Sequence, residues 1–121
     1  MNQEEVMQKL QDAVLLYQSR DLDSAEAVFE EILVAHPREA NALHLLGCIH
    51  KDRGHLQRAV ELIQLSISID DSSPIPFLNL GKILGIAGQH ENAVSVFQQS
   101  LQRSQQIPET WFCFGNALRE I

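Results

Sequence analysis

The chain has 121 residues, of which 45% are hydrophobic and 21% are charged, and its formal net charge is -7. This composition is too apolar for a disordered tail, and charged residues interrupt every stretch that could cross a membrane. The acidic balance and the lack of a basic stripe argue against nucleic acid as a partner, because phosphate binding needs clustered lysine and arginine.

A regular repeat organises the chain. Five sets of equivalent positions hold one constant spacing in a single register: Gly47, Gly81 and Gly115; Ala25, Ala59 and Ala93; Gly54 and Gly88; Leu43, Phe77 and Trp111; and Leu46, Leu80 and Phe114. The register predicts a single array of three full repeats, 6–39, 40–73 and 74–107, and a half repeat, 108–121. Each full repeat is predicted to form two amphipathic helices joined by a tight turn.

The first repeat pairs a polar first helix with an apolar second helix. Lys9 and Asp12 stand where the later repeats carry large apolar residues, whereas Ala25 and Phe29 follow the pattern. A polar first helix suits an N-terminal cap, because no preceding repeat covers it. The opening residues, MNQEEVMQKL, lack the apolar core of a secretory signal, so a cytoplasmic location is expected.

Turn residues mark the helix ends of the later repeats. Gly54 and Gly88 are predicted to end first helices, because glycine adopts the left-handed C-cap conformation at little steric cost. Ser73 before Pro74 predicts an N-cap with proline in the first turn, and Pro108 is predicted to begin the half repeat in the same way.

Small residues are predicted to set the distance between the two helices of a repeat. Gly47 is expected to lie opposite Ala59 in the second repeat, and Gly81 opposite Ala93 in the third. Without large side chains at these positions, the helix axes can approach to the short end of the usual range of about 8–10 Å.

The half repeat is unusually apolar. Trp111, Phe112, Phe114 and Leu118 share its single helix, and no second helix follows to cover them. We expect either that the chain is a piece of a longer array or that it self-associates through Trp111, Phe114 and Leu118, since exposed apolar patches tend to find partners.

The combined pattern resembles the tetratricopeptide repeat (TPR), whose signature is W-x2-L-G-x2-Y, then A-x3-F, then P. The matching segments are Leu43-x2-Leu46-Gly47-x2-His50 with Ala59-x3-Ile63, Phe77-x2-Leu80-Gly81-x2-Leu84 with Ala93-x3-Phe97, and Trp111-x2-Phe114-Gly115-x2-Leu118. The resemblance covers residues 6–121. It implies an all-α fold, a right-handed superhelical α-solenoid of antiparallel helix pairs with about seven helices.

The resemblance also implies where a partner would bind, because the first helices of this family line a concave groove. The residues placed in that groove as partner-binding candidates are Asn41, His44, Cys48, Lys51, Leu78, Asn79, Lys82, Phe112 and Asn116. The groove is largely apolar with two lysines. It is therefore predicted to hold an amphipathic helix or an extended apolar peptide with an acidic residue near Lys51 and Lys82.

Two binding modes known in this family find little support in the sequence. Members that clamp the C-terminal carboxylate of a chaperone use lysine, arginine and asparagine at positions that correspond here to Leu10, Val14, Leu45, Ile75 and Asn79. Only Asn79 matches. The asparagine ladder of O-linked N-acetylglucosamine transferases would run through Gln11, Leu45, Asn79 and Cys113, where again only Asn79 matches.

No sequence motif for catalysis, phosphate binding or metal binding is visible, so the chain is predicted to be a non-enzymatic scaffold without cofactors. His44 and Cys48 share a helix face at metal-ligand spacing, but Cys113 lies two first helices away, and no metal site is predicted. The expected function is protein–protein interaction. The alternative is that the chain forms the N-terminal arm of a larger glycosyltransferase, sulfotransferase or methyltransferase, as the segment Ala42–Gly47 also resembles repeats that precede such domains.

Overall fold

The computed structural model describes residues 1–121 and contains seven α-helices and no strands. The helices are α1 (Gln3–Gln18), α2 (Leu22–Ala35), α3 (Ala40–Asp52), α4 (Leu56–Ile69), α5 (Pro74–Ile86), α6 (His90–Arg103) and α7 (Pro108–Arg119). Two compact units are present: a first unit, Met1–Ile69, with α1 to α4, and a second unit, Asp70–Ile121, with α5 to α7. The predicted all-α class of paired helices is confirmed. None of the seven helices combines the length and the hydropathy needed to cross a bilayer.

The helix starts follow the capping residues of the sequence. The side chain of Asn2 accepts a hydrogen bond from the Glu5 amide at 2.9 Å and caps α1. The hydroxyl of Ser73 accepts from the Ile75 amide, and Pro74 occupies the first turn of α5. These contacts satisfy amide groups that lack a partner inside the helix, so the start of α5 is confirmed as predicted.

A residue with positive φ lies in each of the three hairpin turns, at the same position of the repeat register. Gly54 and Gly88 have φ of 81° and 80°, as their predicted role in ending α3 and α5 requires. The first turn instead places Arg20 in this region, with φ of 67°. A side chain in the left-handed region costs roughly 1–2 kcal/mol, because Cβ crowds the following carbonyl oxygen.

The core of the first unit joins all four of its helices. Val6 and Ala13 of α1 pack with Ala25, Phe29 and Ile32 of α2, and α3 and α4 complete the cluster. At its edge, the guanidinium of Arg53 donates to both carboxylate oxygens of Glu26 at 3.0 and 2.7 Å, and it also contacts Asp23. This fork fixes the end of α3 against α2.

The second unit has its own core. Phe77 and Ile83 of α5 pack in it, together with Phe97 of α6 and Ala117 of α7, and all four are buried. The Arg103 guanidinium lies 4.0 Å from the centre of the Phe77 ring, which is within the range of a cation–π contact.

The close helix approach predicted from the glycines is confirmed, but the opposing residue differs. A Cβ at Gly47 would lie 2.7 Å from Cγ1 of Ile63, and a Cβ at Gly81 would lie 2.4 Å from the Phe97 ring. The glycines therefore make room mainly for the large residue of the second helix, four positions after the alanine. A Cβ at Gly115 would meet no atom within 4 Å.

In each of two hairpins, a hydrogen bond that the sequence did not reveal joins the second helix to the first. The Ser66 hydroxyl donates to the carbonyl of Ala40 at 2.7 Å, and the Ser100 hydroxyl donates to the carbonyl of Pro74 at 2.8 Å. Both serines are buried, and they occupy equivalent positions of the repeat register. The period thus repeats a polar contact as well as the apolar packing.

Candidate protein-binding surfaces

An open apolar pocket lies on the face that α1 and α3 form within the first unit. We call it the α1–α3 face; its lining residues are Leu10, Gln11, Val14, Leu15, Asn41 and Leu45. Its volume is about 470 Å³, which falls in the range of small-ligand and side-chain pockets. Leu15 is 63% exposed, and the amides of Gln11 and Asn41 are also accessible. The pocket can hold an apolar side chain while two amides remain free to hydrogen-bond a neighbouring backbone.

Three of the predicted groove residues are covered. His44, Cys48 and Leu78 are 7%, 5% and 3% exposed, so a partner cannot contact their side chains in this conformation. Burial lowers the pKa of His44 to about 4, because desolvation disfavours the imidazolium. His44 is therefore a neutral residue of the interior at pH 7.

Both predicted groove lysines already lie beside acidic groups. Nζ of Lys51 is 3.5 Å from Asp52, and Nζ of Lys82 is 3.2 Å from the Glu109 carboxylate. An acidic residue of a partner would therefore compete with Glu109 for Lys82. Side-chain pairing between separate helices depends on rotamers, which the spacing along the sequence does not specify.

The remaining groove candidates of the second unit lie on α5 and α7, and we call this surface the α5–α7 face. Asn79 and Asn116 are half-buried, and the side-chain amide oxygen of Asn116 accepts a hydrogen bond from the Arg119 guanidinium. Phe112 is 69% exposed. Lys82 and Asn116 also line a pocket of about 390 Å³ together with Cys113. Burial raises the pKa of the Cys113 thiol, with Glu109 adding to the effect, so this thiol is protonated and weakly nucleophilic at neutral pH.

The residues predicted for self-association form a partly exposed apolar cluster on α7. Trp111 is 47% exposed, and its ring meets Phe114 edge-on at a centroid distance of 6.5 Å. The indole N–H donates to the carbonyl of Gln105 at 3.0 Å, which holds the ring in place. Leu118 is exposed one turn further along.

Leu15 is the surface residue that the sequence reasoning missed. The register aligns it with Ile49 and Ile83, which are fully buried, so its position indicates core packing. In this chain no helix packs over Leu15, which is 63% exposed. The sequence did contain a signal for an exposed apolar side chain here, because Leu15 is an apolar residue in the first helix of the first predicted repeat.

Metal binding finds no support in the arrangement of side chains. The chain contains no group of three or more histidine, cysteine, aspartate or glutamate residues that could hold a metal ion. Cys48 and Cys113 form no disulfide.

The chain consists of helical hairpins that repeat in one register. This architecture is that of the helical-repeat proteins. A family model described as a tetratricopeptide repeat matches residues 40–73 and 77–107, which is more than half of the chain. The chain therefore belongs to the tetratricopeptide repeat family.

Two curated proteins are similar in sequence. A probable UDP-N-acetylglucosamine–peptide N-acetylglucosaminyltransferase SPINDLY from Hordeum vulgare is 29% identical over 100 residues, covering 77% of this chain and 11% of that protein. Tetratricopeptide repeat protein 7A from Homo sapiens is 25% identical over 88 residues, covering 73% of this chain and 10% of that protein. The chain thus spans about a tenth of the length of either relative.

Solved structures share the fold at low sequence identity. A Thermobaculum terrenum O-GlcNAc transferase mutant superposes with a TM-score of 0.91 at 23% identity, covering 98% of this chain and 23% of that chain. The first TPR of Spaghetti (RPAP3), bound to an HSP90 peptide, gives 0.90 at 10% identity, covering 98% of this chain and 94% of that chain. YrrB, a TPR protein with a peptide-binding site described as unusual, gives 0.85 at 21% identity, with coverages of 97% and 60%.

Proposed function

We propose that this chain is a protein-binding module that holds a segment of a partner protein on its first helices. The observation that carries the proposal is the open pocket of the α1–α3 face. The pocket is apolar at its base and has two amide side chains, Gln11 and Asn41, at its edge. Burying an apolar anchor there provides binding free energy, and the amides can bond the peptide backbone beside it.

The α5–α7 face is the second part of the proposal. Phe112 offers an exposed aromatic surface on α7, and the polar side chains of Asn79, Lys82 and Asn116 are half-buried on the same two helices. Asn41 and Lys51 remain candidates in the first unit. Since His44, Cys48 and Leu78 are buried, their proposed role is to support these faces rather than to contact the partner.

This proposal differs from carboxylate clamping of a chaperone tail. The structure of Spaghetti (RPAP3) contains an HSP90 peptide of sequence SRMEEVD. In the present chain the positions that correspond to the clamp are mostly apolar, namely Leu10, Val14, Leu45 and Ile75. We therefore expect no measurable binding of that peptide, and a preference for segments with apolar side chains.

Site-specific photo-crosslinking tests the proposal. A photoreactive phenylalanine analogue replaces Leu15 in the full chain, and the same analogue at the exposed Gln102 of α6 serves as the control. Crosslinking is carried out in cells that make the protein, and the crosslinked partners are identified by mass spectrometry. We expect partners to be recovered from the Leu15 position and to be lost when Asn41 is also changed to alanine. Identical crosslinking at both positions would remove the α1–α3 face from the proposed site.

A second candidate function is the arm of a larger enzyme. The similarity to the barley SPINDLY transferase favours this candidate, because the chain matches only 11% of that protein. In that case the repeats recruit a substrate and catalysis belongs to another domain of the same polypeptide. Sequencing the transcript tests it: the reading frame should continue past the codon of Ile121 into a catalytic domain, and a nearby stop codon would exclude the enzyme arm.

Self-association through α7 is a further part of the proposal. The cluster of Trp111, Phe114 and Leu118 is partly exposed, with Trp111 and Leu118 accessible to a second copy and Phe114 half-buried. Light scattering over a concentration series should show a mass that rises above the monomer, and Trp111→Ser should lower it while circular dichroism stays helical. A monomeric mass at high concentration would contradict this part. The repeat boundaries and the cytoplasmic location stay predictions.

A further inference from the structure

A second groove runs along the opposite side of the first unit, between α2 and α4 and above α3. We call it the α2–α4 groove. Its lining residues are Glu30, Leu33, Val34, Pro37, Leu43, Leu46, His50, Arg58, Glu61, Leu62 and Leu65. Its volume is about 700 Å³. None of these residues belongs to the partner-binding faces described above.

Two side chains in the walls of this groove are more apolar than the repeat architecture requires. Val34 is 85% exposed and Leu65 is 46% exposed. The register aligns Val34 with Ser68 and Gln102, and it aligns Leu65 with Glu31 and Gln99. The equivalent helices therefore form with polar residues at both positions. Since folding does not demand Val34 and Leu65, their apolar character calls for another explanation.

The floor of the groove is continuous with the core. Leu43 and Leu46 of α3 and Leu62 of α4 are at most 4% exposed, yet all three line it. An inserted side chain would therefore meet apolar surface on three sides. Burial of apolar area from the partner and from Val34 and Leu65 would contribute the main binding free energy.

Charge around the groove is unequal. Helix α2 has no basic residue, and three of its four acids already lie beside bases of other helices: Asp23 and Glu26 contact Arg53, and Glu31 lies 2.9 Å from Lys9. On the α4 side, Arg58 lies 3.7 Å from Glu61, so these two charges largely offset each other. Glu30 lines the groove on the α2 side and is exposed. A bound segment with basic residues facing α2 is complementary to this edge.

The form of the segment follows from the backbone of the walls. All three sides of the groove are helices, whose amide and carbonyl groups are bonded within each helix. An extended peptide would find no strand edge to pair with, whereas a helix satisfies its own backbone before it binds. Because the lining covers residues 30–37 on one side and 58–65 on the other, the groove offers a helical partner about two turns of contact.

We propose that the α2–α4 groove is a docking site for an amphipathic helix of another protein. This helix places an apolar stripe between Val34 and Leu65 and basic residues toward Glu30. The site is separate from the α1–α3 face, so the chain can engage two partner segments at once.

Fluorescence anisotropy with a defined probe tests this inference. The probe is a labelled amphipathic helix of about 18 residues with leucines at i, i+3, i+4 and i+7 and lysines along one flank of that stripe. We expect a Kd on the order of 10 μM for the wild-type chain. The substitutions Val34→Ser and Leu65→Gln restore residues that other repeats carry, and together they should weaken binding roughly tenfold or more. Melting temperatures confirm that these variants stay folded.

Matched controls separate this groove from the proposed function. Leu15→Ser alters the α1–α3 face and should leave probe binding unchanged, while Val34→Ser and Leu65→Gln should leave crosslinking from Leu15 unchanged. Glu30→Lys should weaken binding of the lysine probe roughly threefold and strengthen binding of a probe with glutamate in its place.

Three outcomes overturn the inference. The first is the absence of saturable binding by the probe, and the second is binding that the Val34→Ser and Leu65→Gln pair does not weaken. The third is self-association of the chain that this pair abolishes, because the occupant would then be a second copy of the same protein.

Discussion

Helices α5 and α7 occupy the same place in the repeat, but only α5 has a second helix packed over its glycine. Gly81 of α5 faces the Phe97 ring of α6, whereas Gly115 of α7 faces open space. Leu78 of α5 is 3% exposed, and the equivalent Phe112 of α7 is 69% exposed. The repeat period therefore determines the type of residue at a given position. The burial of that residue depends on which helices pack against it.

Substituting the covered glycine should give the largest effect. Gly81→Ala places a methyl group 2.4 Å from the Phe97 ring, which is closer than van der Waals contact allows. We expect a loss of about 3 kcal/mol in the free energy of unfolding, measured by urea denaturation, since overpacking of a core costs roughly that much. The smaller side chain in Gly81→Ala/Phe97→Leu should recover part of this loss. If the changes in unfolding free energy caused by Gly81→Ala and Phe97→Leu simply add in the double mutant, steric contact between the two residues is not the cause.

The register position shared by His44, Leu78 and Phe112 predicts a contrast in pH dependence. Burial lowers the pKa of His44 to about 4 in the folded chain, whereas an unfolded histidine has a pKa of about 6.5. Between these values the unfolded chain binds more protons, so stability that is present above pH 6.5 is lost as the pH falls toward 4. Between pH 7.5 and pH 5 this group should lower the free energy of unfolding by about 2 kcal/mol.

Two variants isolate that contribution. His44→Leu introduces the residue that α5 carries at this position, and its urea-denaturation stability should fall less steeply over the same pH range. Phe112→His places the imidazole at the exposed position of α7, where an NMR titration should give a pKa near 6.5. Equal pKa values for His44 and for the histidine introduced at position 112 would contradict a difference in burial between the two positions.

A buried hydroxyl gives the third test. Thr110 of α7 is fully buried, and its Oγ1 has no hydrogen-bond partner in the protein, whereas α3 and α5 carry Ala42 and Pro76 at this position. Thr110→Val keeps the shape of the side chain and removes the unpaired hydroxyl. It should raise the free energy of unfolding by about 1 kcal/mol in a urea titration.

The matched control is a buried hydroxyl that has a partner. Ser100 donates to the carbonyl of Pro74, so Ser100→Ala should lower the free energy of unfolding by about 1 kcal/mol. The two changes are therefore expected to have opposite signs. If Thr110→Val destabilises the chain, the hydroxyl makes a contact that favours the fold.

Gly115→Ala should have the smallest effect, and its sign is opposite to that of Gly81→Ala. The added methyl group meets no atom within 4 Å, and alanine is favoured over glycine inside a helix by about 0.8–1 kcal/mol. Stability measured at low protein concentration should rise by somewhat less than that amount. A clear loss of stability would mean that another surface covers Gly115 in solution.

The repeat period predicted most of the fold. It identified all three full hairpins and the last helix, the turns at Gly54 and Gly88, and the close approach at Gly47 and Gly81, because each of these depends on residue size and backbone conformation. The left-handed Arg20 was not expected, although it shares the register of Gly54 and Gly88. Its conformation depends on tertiary contacts that a local pattern does not contain.

The candidate site was less predictable. The register assigned the candidate residues to the first helices of the repeats. The burial of His44 and Cys48 and the pairing of Lys82 with Glu109 arise from neighbouring helices and side-chain rotamers, which the register does not contain. The period also could not indicate the α2–α4 groove, since the apolar character of Val34 and Leu65 departs from it.

The left-handed Arg20 makes the first hairpin depend on the helix that follows it. Its guanidinium donates to Asp52 at 3.1 Å, and Tyr17 donates to the same carboxylate oxygen at 2.9 Å. Asp52 ends α3, so the α1–α2 turn draws a compensating contact from outside its own hairpin. The turns at Gly54 and Gly88 need no such contact, because glycine adopts a positive φ at little cost. The first hairpin therefore depends on α3 for the contact that offsets the cost of its turn, whereas the turns of the second and third hairpins do not depend on a neighbouring hairpin in this way.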